Sequence, residues 1–148
     1  MNNTDNMKIA RLTDKLSVSS QIGVDDIPAI VEAGFRTIIN NRPDNEEPCQ
    51  PGATEISAAA QSAGLACVRQ PVISGSINHE DVQTFAEHLN QSMGPVLAFC
   101  RTGTRCCVLW LLNQRDNPDA ALAKAREAGF NLDHLRPQLA GEPQPQGE

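Results

Sequence analysis

Cys100, Arg101, Thr102, Gly103, Thr104 and Arg105 place one thiol, one glycine, two hydroxyls and two guanidinium groups in six consecutive positions. Apolar residues flank this run on both sides, over residues 96–99 and 106–112. The first flank has the length of a buried strand and the second that of a buried helix. A strand, a tight turn and a helix in that order gather backbone N–H groups around one point, at the positive end of the helix dipole. Such a point binds an anion or creates one. Cys100 sits where the strand gives out, so the expected anion is its own thiolate. A free cysteine has a pKa of about 8.5, and a helix start with neighbouring cations lowers it to roughly 3.5–7.5. A drop of about 3 units favours the thiolate by about 4 kcal/mol. Arg101 and Arg105 are permanently charged forks suited to oxyanions, and Gly103 lets the backbone turn with its N–H groups inward. The plainer alternative is a buried structural cysteine beside two surface arginines.

The elements that must position this loop follow in chain order. Residues 9–12 and 16–19 read as short strands around a Thr13-Asp14 turn, with Ser17, Ser19 and Ser20 alternating with Leu16 and Val18 as on a half-buried edge. A helix starts near Asp25 and Asp26, tolerates Pro28 in its first turn, carries an apolar stripe of Ile27, Ile30 and Val31, and stops at Gly34. Residues 35–40 form the next strand, 53–63 an alanine-rich helix stopped by Gly64, and 65–68 a further strand. Asn78 caps a helix that runs to about Ser92, with Asp81 in the capping-box place. After the thiol loop, Val108, Leu109, Leu111 and Leu112 bury a helix, with Trp110 in the core or in a pocket wall. Pro118 starts another helix, and residues 131–139 form a last short one. Helices and strands in this alternation predict an α/β domain over residues 8–139: three layers, with a mainly parallel central sheet between helices. Residues 1–7 and 140–148 read as disordered tails.

Parallel sheets place ligands beyond the C-terminal ends of their strands, which draws attention to the loop after residue 40. Arg42 could add a second anion contact there, and Asp44, Glu46 or Glu47 could carry a proton; a solvated acidic loop is the plain alternative. Residues 73–77 form another loop, with no carboxylate before Glu80 and Asp81, which belong to a helix start.

At 148 residues one domain is the expectation, and the net charge of −6 argues against nucleic acid or an anionic membrane as partner. Residues 1–15 are polar and read as no signal peptide, and no apolar stretch is long enough to span a bilayer. The five cysteines are odd in number in a chain expected to be cytoplasmic, which predicts thiols at rest. No metal-ligand spacing appears, and no cofactor is called for.

Cys100 with Gly103 and a following arginine resembles the active loop of cysteine-dependent phosphatases, whose pattern is Cys-x5-Arg. Here Arg105 comes one position early, and Cys106 stands where that arginine belongs. The loop also resembles the rhodanese wording Cys-Arg-x-Gly-x-Arg, which it fits without a gap. Over roughly residues 16–139 the chain resembles the bacterial beta-lactamase-hydrolase-like, phosphatase-like domain family. The matching pieces are 17–22 (Ser-Val-Ser-Ser-Gln-Ile), 38–44 (Ile-Ile-Asn-Asn-Arg-Pro-Asp), Gln70-Pro71-Val72 and 99–105. The resemblance implies a dual-specificity-phosphatase-like fold. It also implies links to sulfide metabolism, because such domains look like those fused to persulfide-oxidising metalloenzymes.

Three functions share these residues. In the favoured one, Cys100 takes a sulfane sulfur from thiosulfate or a persulfide and passes it to a thiol such as glutathione. That route needs no general acid and suits a short loop, and sulfide-oxidation enzymes would be its partners. In the second, Cys100 attacks phosphorus, Arg105 and the loop N–H groups hold the equatorial oxygens, and Asp44 protonates the leaving group; dual-specificity phosphatases usually carry that acid in the loop that here spans 73–77. In the third, the domain senses oxidants or binds an anion, with Cys100 resolved by Cys106 or Cys107. The expected site is thus Cys100, Arg105 and Asp44 for catalysis, with Arg42, Arg101, Thr102, Gly103 and Thr104 binding the anion.

Overall fold

The structure is a computed structural model and describes residues 8–140, with side chains to Leu139. Five strands form one sheet: β1 (Ile9–Arg11), β2 (Leu16–Ser19), β3 (Thr37–Asn40), β4 (Ala66–Arg69) and β5 (Val96–Phe99). Their order is β1-β2-β5-β3-β4, and only β1 runs antiparallel, against β2. Six helices accompany them: α1 (Ile27–Glu32), α2 (Ala53–Ser62), α3 (His79–Gln91), α4 (Thr104–Leu111), α5 (Pro118–Glu127) and α6 (Arg136–Ala140). This is the mainly parallel, helix-flanked sheet that the α/β alternation predicts.

The three layers follow from the period of two along the central strand. Leu97 and Phe99 of β5 join Ile30, Ile38, Ile56 and Ala60 in a core under α1 and α2. Val96 and Ala98 face the other way, into a core with Phe85, Leu109, Trp110 and Leu122 of α3, α4 and α5. All four β5 residues are fully buried, and enclosing each Val, Leu or Phe contributes about 1.5–3 kcal/mol.

β5 is flanked in parallel by β2 and β3, with Phe99 in register with both Ser19 and Asn40. Three strands therefore end together, and the thiol loop leaves from the middle one. Its exit is stitched on both sides: Cys100 N–H donates to the Ser19 carbonyl at 3.3 Å, and Asn41 N–H donates to the Phe99 carbonyl at 2.9 Å.

Three local expectations are corrected. β2 is not an edge: β1 pairs along its free side, so Ser17 and Ser19 are buried with Leu16 and Val18. Val31, within α1, is exposed, so the buried stripe of that helix is Ile27 and Ile30 alone. The last helix is two pieces, a single 3₁₀ turn at Asp133–Leu135 followed by α6. The tails expected over 1–7 and 140–148 lie outside the described residues, except for Ala140, whose backbone closes α6. No helix among the described residues is long and apolar enough to cross a membrane.

Candidate active site

Cys100 follows β5 directly, and α4 begins at Thr104, so only the four residues 100–103 separate the end of the strand from the helix. A turn that tight requires a left-handed residue, and Gly103 supplies it with φ 93° and ψ −15°. Gly103 is also pressed by its surroundings: a Cβ there would lie 3.1 Å from Phe130 Cζ and 3.4 Å from the Ser19 carbonyl. The result is a backbone wound around the sulfur. Gly103 N–H donates to Cys100 Sγ at 3.1 Å, and the N–H groups of Arg105 and Cys106 also donate to it.

These contacts lower the Cys100 pKa from an ordinary 9.0 to about 5, so the thiolate prevails at neutral pH. The largest cause is a hydrogen bond from the Cys106 thiol, followed in the opposite sense by burial, then by the three backbone N–H groups. The charge is thus held chiefly by a second thiol and by amides, more than by the arginines whose charge the sequence makes conspicuous. Cys106 moves the other way. Its burial and the neighbouring thiolate push its pKa well up, which keeps it a donor. Burial likewise pushes Cys107 up to about 12.

Arg105 projects from the first turn of α4 and is nearly buried. Its fork meets Glu46 through two bonds, Nη1 to Oε2 at 2.8 Å and Nη2 to Oε1 at 2.9 Å, and Nη1 also donates to the Val72 carbonyl at 3.0 Å. Glu46 accepts from Arg42 Nε as well, at 2.8 Å. Two guanidinium groups therefore hold the Glu46 carboxyl down to about 2, with the Arg105 hydrogen bond as the largest cause. Glu46 is the residue that sequence reasoning undervalues. The signal was present, since Arg42 and Glu46 stand four apart in a loop beyond a strand end.

The remaining expected residues divide. Arg42 is not free to hold a substrate anion: it is buried, and it is used up on Glu46, on Glu47 at 2.9 Å and on Gln21 Oε1 at 2.8 Å. Asp44 serves α2 instead of the thiol loop. One oxygen accepts from the Ala53 N–H at 2.9 Å, where α2 starts, and the other accepts from Arg69 at 3.1 Å. Arg101 is mostly exposed and lies 3.6 Å from Glu47. Thr102 and Thr104 are exposed and join their hydroxyls at 3.0 Å on the outer side of the loop. That outer side faces a cleft of about 350 Å³, bordered also by Ser74, Gly75 and His134. Cys100 itself is 0% exposed, so a substrate reaches the sulfur only by displacing what covers it.

Residues 8–117 match the family of the beta-lactamase hydrolase-like protein, phosphatase-like domain. The chain belongs to this family. One relative in it, the beta-lactamase hydrolase-like protein of Xylella fastidiosa (strain Temecula1 / ATCC 700964), is 39% identical over 130 residues; these cover 85% of the chain and 30% of that protein. The phosphatase-like domain thus spans about a third of the relatives it matches. Among crystal structures, a candidate phosphatase of Neisseria meningitidis is 38% identical, with a TM-score of 0.82 over 91% of this chain and 98% of that one. A kinase-associated phosphatase with its catalytic-site cysteine replaced by serine has a TM-score of 0.68 at 14% identity, over 91% and 92% of the two chains. That last likeness concerns the fold alone, and it places this domain among the folds of cysteine-dependent phosphatases.

Proposed function

We propose that the domain hydrolyses phosphoric monoesters through a phosphocysteine at Cys100. The observation that carries this reading is the Cys100 sulfur held ionised, with a pKa of about 5, by the Cys106 thiol and three backbone N–H groups at the start of α4. A thiolate is the nucleophilic form of cysteine, and amides around it are poised for the equatorial oxygens of a phosphoryl group. The relation to phosphatase folds supports the same reading.

In the first step Cys100 Sγ forms a bond to phosphorus while the bond to the leaving oxygen breaks, and that oxygen takes up a proton. Arg105 is presented by its two bonds to Glu46, and its permanent charge is suited to the negative charge shared among the phosphoryl oxygens. In the second step water attacks phosphorus, the S–P bond breaks, and phosphate and the thiolate are released. The test is hydrolysis of 4-nitrophenyl phosphate with acid-quench trapping of the protein. The expected results are turnover and a phosphoryl mass on Cys100, both lost in Cys100→Ser. Turnover that survives Cys100→Ser removes the cysteine from the mechanism.

Sulfur transfer stands as a second reading, favoured by the loop length. A Cys-x4-Arg loop closed around a fully buried sulfur suits one added sulfur atom better than a tetrahedral group. A thiol such as glutathione would then accept the sulfur, and sulfide-oxidising enzymes would be the partners. Intact mass after incubation with thiosulfate separates the two readings: a gain of one sulfur on Cys100 favours transfer, and an unchanged mass favours hydrolysis.

A further inference from the structure

The phosphatase reading leaves a proton without a source. The loop at 73–77 carries no carboxylate. The acidic residues beyond β3 are engaged, Glu46 by Arg105 and Arg42, Glu47 by Arg42, and Asp44 by Arg69 and the start of α2. The cleft against the thiol loop is built differently. Thr102, Thr104 and Arg105 form one part of its wall, Ser74 and Ile77 another, and the segment after α5 a third through His134 and Leu135. Among the described residues lining it, the titratable side chains are Arg101, Arg105 and His134. Arginine does not give up a proton in proteins. Histidine is the side-chain type that exchanges one near neutral pH.

Resting on the phosphatase reading, we propose that His134 is the proton donor to the leaving oxygen, in the role that a loop carboxylate would otherwise fill. Its neighbours leave it available. Asp133 is paired with Arg126 at 2.8 Å, and Arg136 is paired with Asp119. Across the cleft stand Arg101 and Arg105, the latter paired with Glu46. His134 itself is exposed to the cleft's solvent. As the P–O bond breaks, its electron pair stays with the leaving oxygen, and the imidazolium proton passes to that oxygen. The imidazole, open to solvent, regains its proton from bulk water, and a water molecule then attacks phosphorus as the S–P bond breaks, its proton leaving with the released phosphate. The substrates this fits are phosphoric monoesters of poorly acidic alcohols, whose leaving oxygen needs the proton.

The test compares two esters in wild type, His134→Gln and His134→Asn. An alkyl phosphate should lose about 10²-fold or more in kcat in both variants, the size of a general-acid contribution. 4-Nitrophenyl phosphate, whose leaving group departs unprotonated, should change by less than about threefold and should still phosphorylate Cys100. Equal losses on both esters would mean a structural role, and no loss on the alkyl ester would mean no role; either overturns the proposal. Wild-type protein that turns over neither ester overturns the phosphatase reading and this inference with it. Activity on the aryl ester with His134 irrelevant to both overturns the inference alone.

Discussion

Cys100 and Cys106 are the same side chain, six residues apart, and both are fully buried. Their acidities diverge completely. Cys100 lies at the end of a strand, where the N–H groups of Gly103, Arg105 and Cys106 converge on its sulfur, and it ionises near pH 5. Cys106 lies inside the helix that supplies those groups, receives none of them, and stays protonated, its pKa pushed well up. Burial alone disfavours charge on both. What separates them is position relative to α4: Cys100 precedes the helix, where the free N–H groups of its first turn meet the sulfur, whereas Cys106 is itself a first-turn residue and supplies one of those groups. The second thiol then strengthens the difference by donating to the first.

The largest effect expected from breaking this contrast is chemical. Cys100→Ser removes the ionisable sulfur while keeping its shape, and turnover of an aryl phosphate should fall on the order of 10⁴-fold or more. The same variant should alter the stability curve. Because folding depresses the Cys100 pKa from 9.0 to about 5, its contribution is complete above pH 9 and is lost as pH falls through 5. Between those limits wild-type stability should fall on acidification by up to about 1.4 kcal/mol per pH unit more than that of Cys100→Ser. Urea unfolding at pH 5.5 and 8.5 measures this, and parallel slopes would deny the shift.

Gly103→Ala attacks the geometry that creates the contrast. A left-handed alanine, 3.1 Å from Phe130, should cost about 2 kcal/mol of stability and turn one N–H away from the sulfur. The thiolate absorbance near 240 nm should then titrate at higher pH than in wild type. Cys106→Ala removes the strongest single donor and should raise the Cys100 midpoint by about 1–2 pH units, the worth of one charge-assisted hydrogen bond. Cys106→Ser keeps a donor and should restore most of it. The smallest effect should come from Asp44→Asn. Because Asp44 faces Ala53 and Arg69, turnover should stay within about twofold, and stability should fall by about 1 kcal/mol or less. A large loss of activity would bring Asp44 back as a proton carrier.

The fold could be read from the chain because its signals are local. Val96–Phe99 is a bare apolar run, Asn78 and Asp81 do form a capping box, and Gly34, Gly64 and Gly129 mark turns with positive φ after helices. The nucleophile could be read for the same reason, since strand, thiol, glycine and helix are consecutive. The charges beyond β3 could not. Arg42, Asp44, Glu46 and Glu47 crowd six positions of one loop, and any of them could have faced a substrate. Which pairs form depends on where α2 begins and on Arg69 and Arg105, which come 25 and 59 residues later than their partners. His134 was illegible on the same ground, because only the packing of the segment after α5 brings it to the cleft.

The contact of Phe130 with Gly103 sets a limit on how short a working version of this domain can be. The part recognisable as the family ends at residue 117, yet the aromatic ring that presses on the bend lies thirteen positions further on. A fragment cut at that boundary would keep all five strands and lose the outside wall that holds the sulfur's cradle in shape.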